Sequence, residues 1–171
     1  MSSKKKIVLF ILSLVLLLSL LVIWYKYEYS MEKAEEFQVN SSEYNRKLVI
    51  ATQGSDFKNA VTNNLVNHFK QDSIFIKVID VSSLPEINPK NFNAVVLIHT
   101  WENWKPPAAV KEFINRTTAE KDKIIVLTTS GQGSCKMEGV DAITGESKLE
   151  ETDFFTKAII DKLKPFMKPL P

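Results

Sequence analysis

Cysteine, histidine and glycine are scarce in this 171-residue chain, which has one cysteine, two histidines and five glycines. A lone thiol, Cys135, cannot close an internal disulfide, so the fold must be held by its own core. One cysteine rules out a multi-cysteine zinc site, and the separation of His68 from His99 fits no familiar metal pattern. So few glycines, without a period, exclude collagen-like and glycine-rich linker architectures. An excess of either charge is missing too. Lysine and arginine total 22 against 20 aspartates and glutamates, and the basic side includes Lys4, Lys5 and Lys6 at the amino end. The remainder has no basic stripe, so nucleic acid as a partner has no electrostatic footprint. Repeats of helical-repeat length are absent.

What is present is uneven. No residue from Ile7 to Tyr25 is charged. As a helix that run spans about 28 Å, close to the thickness of a bilayer's hydrocarbon core. Trp24, Tyr25, Tyr27 and Tyr29 at its far end suit an aromatic belt at the membrane interface. A cleavable signal peptide is the competing reading. Its apolar core is usually shorter and is followed by small residues, whereas Trp-Tyr-Lys-Tyr-Glu-Tyr follows here. The expected organisation is a cytoplasmic basic tail at 1–6, a transmembrane anchor at 7–25 in the lipid bilayer, and a polar stalk at 26–46. A domain at 47–171 completes it. Within the stalk a helical stretch is expected around Met31 to Phe37. The three lysines favour an N-terminus in the cytoplasm and a domain outside the cell membrane.

The domain alternates strands and helices. Lys47-Leu-Val-Ile-Ala-Thr52 is an apolar, β-branched run, the mark of a buried strand. Phe57, Val61, Leu65 and Phe69 recur every four residues, which places them on one face of a helix with Ser55 as its N-cap. Further strands are expected at 73–80, 93–99, 123–128 and, more briefly, 140–144. Pro85 and Pro89 exclude a long helix between the second and third strands. Pro106 and Pro107 suit the first turn of a helix reaching Arg116. Ser147-Lys-Leu-Glu150 reads as a capping box opening a last helix, with Leu149, Phe155, Ile159 and Leu163 available for packing. The pattern predicts a three-layer α/β/α sandwich with a parallel sheet of roughly four or five strands.

In such sheets ligands bind beyond the carboxyl ends of the strands, where the strand order reverses. Three segments would meet there. Thr52, Gln53, Gly54 and Ser55, followed by Lys58, form a strand-to-helix turn whose amides and dipole attract phosphate. The same turn is also a common structural cap. Trp101 and Trp104 could stack on a flat ring or cover the sheet edge. Ser130, Gly131, Gln132 and Gly133 supply hydroxyls and backbone donors. Ser130 or Cys135 with His99 as base would make a hydrolase, a reading that needs geometry the sequence does not hold.

Three of these segments resemble the flavodoxin family and its small FMN reductase-type relatives. Thr52-Gln-Gly-Ser-Asp56 stands where flavodoxins carry their FMN phosphate loop. His99-Thr100-Trp101, after the central strand, resembles the Thr-Trp segment flanking the flavin ring. Thr129-Ser-Gly-Gln-Gly133 resembles the loop on the ring's other side, and Val140 to Thr144 resembles the segment before the family's last helix. The first loop departs from the family pattern, ending Ser55-Asp56-Phe57 rather than threonine-glycine-asparagine-threonine. The third loop has no tyrosine to stack on the flavin. The resemblance implies a flavodoxin-like fold over Lys47 to about Met167 and FMN as cofactor. It also implies electron transfer or small reductase chemistry with a redox partner. Thr52, Gln53, Gly54, Ser55 and Lys58 would then lie at the phosphate. Thr100, Trp101 and Ser130 to Gly133 would lie at the ring. A cofactor-free domain that presents a surface to a protein partner at the membrane remains the second reading.

Overall fold

The computed structural model describes residues 3–29 and 31–168, in two compact units divided after Met31. The first unit is helix α1, Ser3–Tyr29. Its stretch Ser3–Tyr25 is long and apolar enough to cross a membrane. Two serines interrupt the apolar run, and each is satisfied within the helix. Ser13 Oγ donates to the Phe10 carbonyl and Ser19 Oγ to the Val15 carbonyl, both at 2.8 Å. A polar group in hydrocarbon requires such an internal partner.

The second unit is built on a six-stranded sheet. Its strands are β1 (Phe37–Val39), β2 (Arg46–Thr52), β3 (Ile74–Asp80), β4 (Ala94–Thr100), β5 (Ile124–Thr129) and β6 (Asp141–Gly145). They lie in the order β1-β3-β2-β4-β5-β6. Every pairing is parallel except β1 with β3. Without the antiparallel edge strand, the order in sequence terms is 2-1-3-4-5. That is the flavodoxin-like order of doubly wound sheets.

The β-branched runs explain the sheet. Leu48 to Ala51, Ala94 to Ile98 and Ile124 to Leu127 are buried on both faces, as central parallel strands must be. One face is covered by α2 (Asp56–Phe69) and α4 (Thr152–Met167). Leu48, Ile50, Val96, Ile98 and Leu127 pack there against Phe57, Val61, Leu65, Phe155, Ile159 and Leu163. The other face carries only α3 (Ala108–Arg116) and 3-10 turns at Val81–Glu86 and Pro89–Asn91. Val49, Ala51, Val95, Leu97 and Val126 pack there against Leu84, Ile87, Val110 and Phe113. Pro85 and Pro89 do break the connection into short turns, as the sequence predicts.

Two expectations are corrected. The segment expected as a spacer up to residue 46 contributes strand β1, and Met31 to Phe37 is not helical. Instead, the Glu32 carbonyl accepts from Gly54 N–H at 2.7 Å and Ala34 N–H donates to Asp80 Oδ2 at 2.9 Å. Asn40 Nδ2 donates to the carbonyls of Lys70 and Ile74. Long-range backbone pairing outweighs the weak local helical preference of this polar stretch. The capping box fails too. α4 begins at Thr152 after a 3-10 turn at Leu149–Glu151, and the Ser147 hydroxyl donates to Thr129 Oγ1 rather than to an amide. Leu149, expected to pack, is exposed.

Candidate functional site

The carboxyl ends of the strands change from apolar to polar at one level. Thr52, His99, Thr100, Thr128 and Thr129 form this rim, and all but Thr100 are buried. The strand register sets the pairs, His99 beside Thr128 and Thr100 beside Thr129. Thr128 Oγ1 and His99 Nε2 are 2.7 Å apart, and the Thr100 and Thr129 hydroxyls 2.8 Å. β2 and β4 are neighbours here and both strand-to-helix connections leave from this edge, so the topological switch point lies between them.

The first loop holds the charge of the site. Ser55 caps α2, its Oγ accepting from Lys58 N–H at 3.3 Å and lying 3.3 Å from Lys58 Nζ. Lys58 is fully buried. Burial pulls its ammonium down to about 8, against the opposing attraction of the Glu102 carboxylate. Thr52 Oγ1 donates to the Gln53 carbonyl. The Gln53 side chain bridges the two loops: its Oε1 accepts from Thr100 N–H and its Nε2 donates to Glu102 Oε1, both at 2.7 Å. Gly54 is closed in. A Cβ at this position would stand 2.8 Å from the carbonyl oxygens of both Glu32 and Lys33. Glycine is required because another backbone crosses directly over it.

The second loop separates the two tryptophans. Trp101 is half-buried against the core under α3, and its indole N–H is buried without a hydrogen-bond partner. It therefore covers the sheet and keeps one donor unspent. Trp104 is 90% exposed. It sits in a tight hairpin in which Glu102 and Lys105 exchange backbone hydrogen bonds of 2.9 and 3.2 Å. Both residues between them are left-handed, Asn103 at φ 49° and Trp104 at φ 64°. Mirror-type hairpin turns demand such angles and normally use Asn-Gly to reach them. A tryptophan there carries steric strain.

The third loop is pinned to its neighbour strand. Ser130 N–H donates to the Gly145 carbonyl and Gly133 N–H to the Ser130 carbonyl, both at 3.1 Å. Gly133 is left-handed at φ +63°, and a Cβ on it would meet the Gly145 backbone at 3.0 Å. A Cβ on Gly131 would meet nothing within 4 Å, and Gln132 is exposed. Ser130 Oγ accepts from Cys135 N–H at 3.4 Å. The hydrolase reading finds no support here: His99 Nε2 pairs with Thr128 Oγ1 rather than with Ser130 or Cys135, and its Nδ1 is buried without a hydrogen-bond partner. Burial chiefly, with Lys58 adding to it, holds the imidazole down at about 4. Among the described residues, no cluster of His, Cys, Asp and Glu could hold a metal ion.

Thr52, Gln53, Gly54, Ser55, Lys58, Thr100 and Trp101 thus converge at one end of the sheet, with Ser130 to Gly133 on the adjacent strand end. The chemistry of the donors can be tested against the FMN that the resemblance implies. A serine hydroxyl, a buried ammonium and a helix N-terminus suit a phosphate, and an unspent indole N–H suits a ring acceptor. The donor set therefore fits the group. Gly54 and Gln53 are exceptions, since the Gly54 amide is given to Glu32, the Gln53 amide to the Ile98 carbonyl, and the Gln53 side chain to Thr100 and Glu102. Sequence reasoning missed Glu102 and Glu32, the two residues that close the first loop. Their only local signal was the Glu102-Asn-Trp-Lys105 pattern of opposite charges flanking a turn.

Neither a family model nor a curated protein matches the chain. Among solved structures, a flavodoxin from the domain Archaea is similar at a TM-score of 0.49 and 14% identity, over 71% of this chain and 99% of that one. An NADPH-quinone reductase from P. pentosaceus is similar at a TM-score of 0.34 and 11% identity, over 74% of this chain and 82% of that one.

Proposed function

We propose that this chain holds a flavodoxin-like domain at a membrane and that the loops at the carboxyl end of its sheet take flavin mononucleotide. The observation that carries this reading is the buried Lys58 ammonium at the N-terminal turn of α2. A helix N-terminus with a buried ammonium beside it is a setting that a phosphate group would stabilise. Ser55, Lys58 and the first turn of α2 would hold the phosphate. Thr100, Trp101 and Ser130 to Gly133 would flank the ring, with the Trp101 indole N–H as a donor. The bound flavin would supply electron-transfer chemistry, while the protein tunes and orients it. The orientation expected from Lys4, Lys5 and Lys6 puts the domain outside the cytoplasm.

The test uses the full chain in detergent micelles, titrated into FMN. The expected result is quenching of flavin fluorescence at micromolar protein, weakened by Trp101→Ala. Unquenched FMN would remove this reading. A reporter fused after Pro171 should be active only outside the cytoplasm, and cytoplasmic activity would reverse the orientation.

A second reading is favoured by one observation. Gly54, the glycine of the first loop, gives its amide to Glu32 and is covered by the Glu32–Lys33 backbone. That closure suits a cofactor-free domain that presents its surface to a protein partner, and it is the reading left standing if FMN is ignored.

A further inference from the structure

Between α2 and the chain that enters β1 lies a crevice of about 250 Å³. One wall is α2, where Asn59, Thr62 and Asn63 share a helical face at spacings of three and four. The other wall is the chain entering β1. Its alternate residues Lys33, Glu35 and Phe37 line the crevice, which is the period of an extended segment. Phe37 and Val78 stand opposite each other across β1 and β3 and give the crevice a carbon surface. The second wall is pinned in place, by the Glu32 carbonyl on Gly54 N–H and by Ala34 N–H on Asp80 Oδ2. The crevice is therefore built into the fold.

One polar group in this crevice is unmet. Thr62 is 3% exposed, and its Oγ1 is buried without a hydrogen-bond partner. A helical threonine can settle its hydroxyl on the carbonyl one turn back. Thr117 does so at the end of α3, donating to the Phe113 carbonyl at 2.7 Å. Thr62 makes no such bond. A buried hydroxyl left unpaired costs free energy, and a polar group arriving from the crevice would remove that cost.

The rest of the lining says what kind of molecule could bring it. Lys33 and Glu35 contribute one charge of each sign, so neither an anion nor a cation is selected. Among the described residues neither of them forms an ion pair. Asn59 and Asn63 are exposed and each adds a carboxamide, at once donor and acceptor. Thr52 Oγ1, also in the lining, spends its proton on the Gln53 carbonyl and keeps lone pairs to accept. A neutral molecule matches this set when its hydroxyls both give and take hydrogen bonds and it has a carbon face for Phe37. The volume equals that of about eight waters in the liquid, the size class of one sugar ring and too small for a nucleotide.

We propose that this crevice binds a single neutral sugar ring. Thr62 Oγ1 bonds one of its hydroxyls, the carboxamides of Asn59 and Asn63 bond others, and its carbon face lies toward Phe37. The site stands on the side of α2 next to β1 and does not depend on what the loops at the carboxyl end of the sheet take.

The test uses the full chain in phosphatidylcholine nanodiscs, a carrier without sugar headgroups. Glucose, galactose and mannose are the probes, with free serine as a zwitterion of similar polarity. The side-chain amide NMR signals of Asn59 and Asn63 are followed. At least one sugar is expected to shift both signals saturably at millimolar concentration. Thr62→Val keeps the shape and removes the hydroxyl, so affinity should fall about fivefold, the worth of one neutral hydrogen bond. Without sugar the same variant should have a higher denaturant midpoint, because an unpaired buried hydroxyl is gone. Asn63→Ala, at an exposed position, should weaken binding and leave the midpoint unchanged. No saturable shift with any of the three sugars would overturn the proposal. Saturable shifts with serine alone would overturn it in favour of a zwitterion site. Undiminished affinity in Thr62→Val, or a lowered midpoint, would also overturn it, the latter by showing that the hydroxyl already serves the fold.

Discussion

The two faces of the sheet are covered unequally. One carries α2 and α4, helices of 14 and 16 residues. The other carries a nine-residue helix, α3, and short 3-10 turns. Two long helices bury a continuous apolar surface, and their backbone hydrogen bonds are made within each element. Short turns interrupted by proline cannot do so over the same area. The candidate site draws on both faces. The cation, Lys58, comes from α2 on the well-covered face. Glu102, whose charge opposes the effect of burial on Lys58, comes from the left-handed hairpin leading into α3 on the thinly covered one.

Substitutions should show this difference. The largest effect is expected from Phe155→Ala on the face of α2 and α4. Phe155 meets Phe57 edge to face at 5.7 Å, and its ring fills the space beside Gly145. Truncating such a ring costs about 4 kcal/mol, read as a lower denaturant midpoint. Phe113→Ala, on the other face, removes a buried ring that also lies 4.8 Å from the Arg116 guanidinium. Its surroundings are shorter elements that can settle into the gap, so about 3 kcal/mol is expected, toward the lower end for a buried phenylalanine. Equal losses would break the comparison.

Next in size is the pH dependence carried by Lys58. Its folded value is about 8 against an ordinary 10.5. Between those values the unfolded chain holds a proton that the folded chain has lost, so stability rises with pH across this window. Below about pH 8 the folded state bears the full cost of the buried ammonium. Lys58→Met should abolish the rise and stabilise the domain at neutral pH by on the order of 2–3 kcal/mol. Chemical denaturation at pH 7 and pH 10 measures both. A rise that survives the substitution would assign it to another group. The smallest effect belongs to Trp104→Gly, expected to stabilise by about 1 kcal/mol through relief of the left-handed strain. A destabilised variant would show that Trp104 makes contacts its exposure does not reveal. Hydrogen exchange should also be faster over 101–116 than in α2 and α4, because local opening follows sparse packing.

Much of the fold was legible in the sequence. The parallel strands were, because a strand buried on both faces is a continuous apolar run. Helix α2 was also, because Phe57, Val61, Leu65 and Phe69 repeat at helical spacing and Ser55 caps it as expected. Strand β1 was not. Phe37-Gln-Val39 is three residues long with polar neighbours, and only its pairing with Ile76 to Val78 makes it a strand. The cap of α4 misled because Ser147 found a partner across the sheet, the Thr129 hydroxyl, instead of a local amide. At the site, the convergence of the three loops followed from topology. Their closure did not, because the bonds from Gly54 to Glu32 and from Gln53 to Glu102 join residues far apart in sequence. Trp101 and Trp104 look equivalent in sequence, yet one covers the core and the other stands in solvent.

The pairing of residues 32–39 with the sheet also fixes where this protein can be cut. A protease acting before Glu32 would release the second unit with β1 still on β3 and Gly54 still covered. A cut after Asn40 would let the edge strand leave. It would bare the β3 backbone opposite Phe37 to Val39, uncover Gly54 and create a free sheet edge open to pairing with other chains. Cleavage at the first position leaves the second unit whole, and nicking at the second leaves a sheet edge that other chains can pair with.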